Sequence, residues 1–203
     1  MIINFCSSLQ FQTRLYIEQS MIEQVREAQL LGVIISDDLS WHANTRMITK
    51  KANKRMIILR KLFQFKVSNN DMIQIYKLFI RSVLETSCVV WATSITEEEK
   101  TIIERVQKTA LKIVYGEKYI CYANALQMSN LQTLSERRLK LTLKFAQKCT
   151  KNSKTSDMFP LNQIKCTRMK EKYKVIHTYT DRLKNSAIPQ MARQLNQYEA
   201  NKK

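Results

Sequence analysis

Glycine and proline are both scarce in this chain of 203 residues, which contains only two of each. Average usage would give about 14 glycines and about 10 prolines in a chain of this length. Because turns with positive φ usually need glycine and rigid corners often use proline, the chain can have few of either. The hydrophobic fraction of 44% is nevertheless enough for a core. These features predict long helices joined by polar linkers.

Histidine is also rare, and the cysteines are not spaced as metal ligands. Neither His42 nor His177 has a serine or cysteine at a convincing nucleophile–base spacing. The five cysteines are odd in number and form no CxxC pair, so we expect reduced thiols and no zinc site. Two isolated glycines cannot build a phosphate-cradling loop. The sequence therefore indicates no catalytic residues, no metal site, no cofactor and no small-molecule substrate.

The chain lacks a long hydrophobic run. No apolar stretch approaches the length of about 18 residues that a membrane-spanning helix requires. The first residues lack the basic region and the apolar run of a secretory signal. We therefore expect an intracellular protein, nuclear or cytoplasmic, that is not secreted and has no membrane partner.

Acidic residues are absent from residues 39–66, although the chain as a whole has a formal net charge of +17. On a helix with about 100° per residue, this segment has a basic arc and an apolar arc on roughly opposite sides. The basic arc contains Arg46, Lys50, Lys54, Arg60 and Lys61, and the apolar arc contains Trp41, Ile48, Ala52, Met56, Leu59 and Phe63. Like charges three or four residues apart on a helix repel, and a polyanion would relieve that repulsion. The segment therefore predicts a nucleic-acid-binding helix; a solvated face and an anionic lipid surface are the alternatives.

A second basic ladder lies in a predicted helix over 134–150. Lys140, Lys144 and Lys148 occupy positions i, i+4 and i+8, and so share one helix face. Such a ladder can follow a phosphate backbone without reading bases. A solvated face is the alternative, and Arg137 and Arg138 could instead pair with groups inside the fold. The partner that both ladders predict is the backbone of RNA or DNA.

Capping patterns divide the remainder of the chain into helices. The predicted helices are 39–66, 69–92, 97–115, 120–128 and 134–150. The capping residues that define them are Ser40, Thr96 and Thr133 as N-caps and Gly116 as a left-handed C-cap.

Residues 1–38 have a different pattern. Short apolar or β-branched runs over 2–6, 11–18 and 30–36 predict two to four strands of a small sheet. We therefore predict a mainly α fold, a helical bundle with a small N-terminal β-strand cluster. The predicted domains are 1–38, 39–150 and 151–203, of which the last is a linker with a weakly structured basic extension.

Asp37 and Asp38 form an acidic pair that superficially fits part of a polymerase site. Reverse transcriptases supply metal-binding carboxylates from a tight hairpin between two strands. Here a predicted strand precedes the pair, and Leu39, Ser40 and Trp41 lead into a helix. We therefore interpret the pair as a loop at the start of a helix and not as metal ligands.

Several segments, taken in order, resemble the reverse transcriptases of non-LTR retrotransposons, in particular the jockey-like and related clades. The motifs that carry the resemblance are LGVIISDDLSW at 31–41, KKANKRMIILRKL at 50–62, IYKLFIRSVLETSCVVW at 75–91, IERVQKTALKIVYG at 103–116, LQTLSERR at 131–138, and Tyr179 and Arg182 with SAIP at 186–189. Each motif is short, and it is their order and spacing that make the resemblance specific.

The resemblance implies a C-terminal part of an RNA-directed DNA polymerase. Residues 1–38 would be a remnant of the palm, and 39–150 would be the thumb and connector. In that family the catalytic residues of the palm lie upstream, so the chain alone is expected to be non-catalytic, and Mg²⁺ is expected only for the absent palm. The expected partners are the RNA or DNA backbone of a template–primer and the rest of the polymerase. A non-catalytic helical protein-interaction module is the alternative function.

Overall fold

The structure, a computed structural model, describes residues 2–5, 15–162 and 171–202. It is mainly α-helical with small antiparallel strand pairs near the N-terminus, so the predicted fold class is confirmed. Contacts divide the chain into two units, Met1–Thr86 with Ile95–Leu131 and Ser87–Ser94 with Gln132–Lys203. The domains predicted from composition are a different division and stay a prediction.

Two β-hairpins precede the first helix. β1 (Tyr16–Ile17) pairs with β2 (Ser20–Met21), and β3 (Glu27–Leu30) pairs with β4 (Val33–Ser36), both antiparallel. Most of their side chains are exposed. The buried residues of these strands are Ala28, Val33 and Ser36.

The strand pattern predicted from the sequence needs correction. The run over 30–36 is interrupted, because Leu31 and Gly32 both have positive φ and form the two-residue turn between β3 and β4. The run over 2–6 contributes only a bridge between Ile2 and Gln24. Residue 6 of that run and residues 11–14 of the next lie outside the described residues.

α1 (His42–Gln64) has its N-cap one residue later than predicted. Its N-cap is Trp41, with no side-chain cap, and the prediction of Ser40 is wrong. The reason is that the N–H of Ser40 donates to Oδ1 of Asp38 at 2.8 Å, which keeps Ser40 in the turn before the helix. α1 packs against α5 (Glu97–Tyr115). The residues of the apolar arc that α1 buries are Ile48, Ala52, Met56 and Leu59.

The helix predicted over 69–92 is broken in the structure. α2 (Asn69–Ile75) continues through a π-helical stretch (Tyr76–Arg81) into α3 (Ser82–Leu84). A new helix, α4 (Cys88–Trp91), then follows Ser87, whose φ of +49° ends the preceding helix. Thr, Ser and Cys at 86–88 have low helix propensity, so the chain can leave the helix there at little cost.

The caps of α5 follow the prediction more closely. The Oγ1 of Thr96 accepts from the N–H of Glu99, and Oε2 of Glu99 accepts from the N–H of Thr96, which confirms the capping box. Gly116 ends α5 with the positive φ that was predicted, +52°, but its ψ of −123° lies outside the left-handed helical region. A 3₁₀ turn (Gly116–Lys118) and α6 (Tyr122–Ser129) follow.

The second unit contains α4 and the C-terminal helices. α7 (Leu134–Lys151) has the predicted capping box of Thr133 and Glu136. It is followed by a 3₁₀ turn (Ser156–Met158), α8 (Asp181–Asn185) and α9 (Ala187–Ala200). The core that these elements form contains Ala146, Cys149, Phe159, Tyr173, Met191, Ala192 and Leu195.

α9, in the C-terminal extension, belongs to this core. Three of its residues, Met191, Ala192 and Leu195, are buried in that core. The side chain of Asn196 also accepts from the N–H of Tyr173 at 2.8 Å and donates to its carbonyl at 2.9 Å. These two hydrogen bonds fix the preceding extended segment to the helix. Within the part of the chain that the structure describes, no helix is both long and apolar enough to cross a membrane.

Candidate nucleic-acid interface

α1 has a basic side and a buried side. The five basic residues predicted to bind nucleic acid, Arg46, Lys50, Lys54, Arg60 and Lys61, are all exposed. At 1.5 Å per residue, Arg46 and Lys61 lie about 22 Å apart along the helix axis. We call these five residues the basic face of α1. It extends over most of the helix and lies opposite the residues that α1 buries.

The charges of the basic face are not neutralised within the fold. α1 contains no acidic residue. Among the described residues, no side chain of the basic face forms a salt bridge; the carboxylates that do so pair with other cations. Counterions therefore accompany the basic face in solution, and a bound polyanion could displace them.

Arg55, the neighbour of Lys54, has a different environment. Its Nη1 donates to the carbonyl oxygen of Phe79 in the π-helical stretch, at 2.5 Å. Arg55 therefore links α1 to the neighbouring helix. One of the basic residues of 39–66 thus forms a hydrogen bond within the fold. Helical periodicity alone did not distinguish it from the others.

The second ladder lies on α7, in the second unit. Lys140, Lys144 and Lys148 are exposed and occupy one side of the helix. The other side contains Arg138, which is buried and places its guanidinium 5.7 Å from the centre of the Trp91 ring. Arg138 therefore lies inside the fold, which was the alternative to nucleic-acid binding for this residue.

A cleft of about 430 Å³ lies at the start of α1, in the first unit. Its walls come from the hairpin β3–β4 and from the first two turns of α1. The side chain of Asn44 joins these walls, because its Oδ1 accepts from the N–H of Ile34 at 3.3 Å. Asn44 is 1% exposed, so this hydrogen bond is shielded from water. Arg46 and Lys50 line the cleft and also belong to the basic face.

His42 lies at this cleft, with its side chain 63% exposed. Its Nδ1 lies 3.1 Å from Oε1 of Glu99, which is 3% exposed. Glu99 is itself held by the capping box with Thr96. The start of α5 is thus in contact with the imidazole at the start of α1.

Asp37 and Asp38 also line the cleft. They lie in the turn between β4 and α1, and not on a hairpin between two strands. In the described residues, no group of three or more His, Cys, Asp or Glu side chains could hold a metal ion. The chemistry that the cleft offers is therefore that of hydrogen bonding and charge.

Sequence reasoning missed the cleft because its residues are distant in the chain. Arg26 precedes β3 and lines the same cleft as Arg46 and Lys50. No spacing pattern links Arg26 to α1. The one local signal was Gly32, which allows the turn that brings β4 back toward the helix.

No protein-family model matches the chain, and comparisons with curated proteins and with solved structures likewise gave no match.

Proposed function

We propose that the chain is the thumb and connector part of a non-LTR retrotransposon reverse transcriptase, and that it binds the phosphate backbone of a template–primer duplex. The chain alone is non-catalytic in this proposal. The carboxylates that hold Mg²⁺ for polymerisation would come from a palm outside these residues. The task of this chain is to hold the nucleic acid in place.

The observation that carries the binding proposal is the basic face of α1. Five exposed cations lie along one side of a 23-residue helix that has no acidic residue. The opposite side is buried, so the orientation of the cations is set by the core and not by the ligand. Preoriented cations release counterions from a polyanion with little loss of conformational freedom, and they contact phosphates without reading bases.

The proposal is tested by fluorescence anisotropy with an RNA–DNA hybrid over a series of salt concentrations. If the five residues contact phosphates, log K should fall with log salt with a slope of about −4. Replacing two of them, Lys50→Glu with Lys54→Glu, should reduce the size of that slope by about 2 and weaken binding by at least about tenfold.

The matched control is Arg105→Glu with Lys118→Glu. Both residues are exposed, belong to the same unit and lie outside α1, so the net charge changes equally. The control should keep most of the affinity. Binding that does not depend on salt, or that the two double variants weaken equally, would contradict a role for the basic face.

A second candidate function, a helical protein-interaction module, is favoured by the apolar surface of the hairpins. The exposed residues of this surface are Tyr16, Ile17, Met21, Leu30 and Leu31. Monomeric proteins seldom expose several large apolar side chains in one short segment. A single discrete oligomer in size-exclusion chromatography with light scattering, without any binding of the hybrid, would favour this function over the first.

A further inference from the structure

The cleft at the start of α1 contains cations that the fold does not use. Arg26, Arg46 and Lys50 line it, and among the described residues none of the three forms a salt bridge. Arg26 is exposed, and its backbone carbonyl, not its side chain, accepts from the N–H of Asp37 at 2.8 Å. The cleft thus contains three cations that form no salt bridge within the described residues, beside the carboxylates of Glu27, Asp37 and Asp38.

The imidazole of His42 adds a fourth polar group. Its Nδ1 lies 3.1 Å from the carboxylate of Glu99, and the side chain, 63% exposed, is accessible to a ligand in the cleft. Glu99 is buried and held by its own capping box, so the ring is supported from inside the fold.

The rest of the lining indicates what kind of anion fits. Glu27, Asp37 and Asp38 bring carboxylates into the cleft, and Met47 and Ile34 bring apolar surface. An inorganic phosphate gains nothing from a carboxylate or from apolar contact. A nucleotide gains from both, because its sugar hydroxyls and exocyclic amino groups donate to carboxylates and its base has an apolar face.

The size of the cleft limits the ligand further. Its volume of about 430 Å³ is near the lower end of the range of small-ligand sites. A single nucleotide is of that order, whereas a base pair is not. The cleft also continues directly into the basic face, since Arg46 and Lys50 belong to both.

We propose that this cleft binds one unpaired nucleotide at the end of a strand whose duplex lies along the basic face of α1. The phosphate would contact Arg26, Arg46 and Lys50, and the sugar or base would donate to Asp37. This inference rests on the proposed nucleic-acid binding. It adds a preference for duplexes with a single-stranded end, which the basic face alone does not produce.

The test compares one RNA–DNA hybrid in two forms, with blunt ends and with a short single-stranded overhang, by fluorescence anisotropy. The intact chain should bind the overhang form about fivefold more tightly. Arg26→Ala should abolish that preference and leave the affinity for the blunt hybrid unchanged, because Arg26 lies outside α1. Arg105→Ala is the matched control and should keep the preference.

The outcomes separate this inference from the function on which it rests. Equal, salt-dependent binding of the two forms would overturn the inference and leave the proposed function standing. Absence of salt-dependent binding to either form would remove both. Equal weakening of both forms by Arg26→Ala would mean that Arg26 only adds general charge, and would overturn the inference.

A competition experiment distinguishes a strand end from a free nucleotide, which has the same chemistry. A nucleoside monophosphate at high concentration should remove the overhang preference of the intact chain and should not affect binding of the blunt hybrid. If the monophosphate binds in an Arg26-dependent manner but the overhang preference is absent, the ligand is a free nucleotide and the strand-end proposal is wrong.

Discussion

The Nδ1 of His42 lies 3.1 Å from Oε1 of Glu99, and this contact joins the first turn of α1 to the first turn of α5. The same carboxylate accepts, through Oε2, from the N–H of Thr96 at 2.7 Å. One buried side chain therefore caps α5 and contacts the exposed imidazole of His42.

Removing this carboxylate should destabilise the chain more than removing the cap hydroxyl. Thr96→Ala deletes the acceptor for the N–H of Glu99 and should lower the free energy of unfolding by about 1 kcal/mol. Glu99→Ala should cost about 2 kcal/mol, because it leaves the N–H of Thr96 without its acceptor and removes a side chain that is 3% exposed. Urea denaturation followed by circular dichroism measures both costs. Equal costs would contradict a larger contribution from the carboxylate than from the hydroxyl.

Arg55 and Lys54 should separate stability from binding. Arg55 donates to the carbonyl oxygen of Phe79, whereas Lys54 belongs to the basic face. We expect Arg55→Gln to lower the free energy of unfolding by less than about 1 kcal/mol, since the contact is exposed, with little effect on hybrid affinity. Lys54→Gln should weaken hybrid binding and leave unfolding unchanged. The two variants carry the same change in charge, so an identical effect on binding would contradict the assignment.

Gly116 should resist substitution for a backbone reason. Its φ is +52°, and an added Cβ would come within 2.8 Å of Cζ of Phe63. Phe63 is 47% exposed, so its ring can move aside. We therefore expect Gly116→Ala to cost about 1 to 2 kcal/mol, most of it from the positive φ.

Gly32→Ala is the natural comparison for this substitution. Gly32 has a φ of +84° and nothing within 4 Å of an added Cβ, so it reports the backbone cost alone. In urea denaturation, the part of the Gly116→Ala cost that comes from the Phe63 ring should disappear when Phe63 is also replaced by Leu, and the Gly32→Ala cost should not change. A Gly116→Ala cost that is the same in both backgrounds would mean that the ring contributes nothing to it.

The buried tyrosines should make the chain sensitive to alkali. Burial raises the pKa of the Tyr76 hydroxyl well above its ordinary value of 10.0. The raised pKa means that the folded state holds this proton more tightly than the unfolded state. The contribution of Tyr76 to the free energy of unfolding is therefore complete below about pH 10. It decreases as the pH rises further, by up to about 1.4 kcal/mol per pH unit.

Tyr76→Phe checks the sign of this dependence. The hydroxyl of Tyr76 donates to Oε1 of Gln107 at 2.6 Å, and Gln107 is fully buried. At about pH 8 the variant should therefore be less stable by about 1 to 2 kcal/mol. The gap should narrow above about pH 10, because the variant no longer has that hydroxyl to ionise. A gap that stays constant with pH would show that Tyr76 does not titrate with unfolding.

The sequence predicted the long helices well because their signals are local. The capping box of Thr96 lies where it was expected. Of the predicted apolar arc, Ile48, Ala52, Met56 and Leu59 are buried on α1, whereas Trp41 is the N-cap and Phe63 is 47% exposed. Ser87 could not be predicted in the same way. Its positive φ belongs to a residue type that seldom adopts it, so the surrounding structure must impose it.

The cleft could not be predicted from the sequence for a related reason. Arg26 and Arg46 are 20 positions apart, and only the pairing of β3 with β4 brings them to one cavity. The sequence signal of α9 is weak because its buried residues are few and one of them, Ala192, is small. Periodicity reports which side of a helix is apolar, but it does not report whether another element covers that side.

The separation between the two sides of α1 affects how this helix can change over time. Every cation of the basic face can be exchanged without altering any buried volume, because the residues that α1 buries lie on its other side. The affinity for a polyanion can therefore change by one charge at a time, through mutation or design, while the melting temperature stays nearly constant. In α1, binding affinity and folding stability can be changed independently of each other.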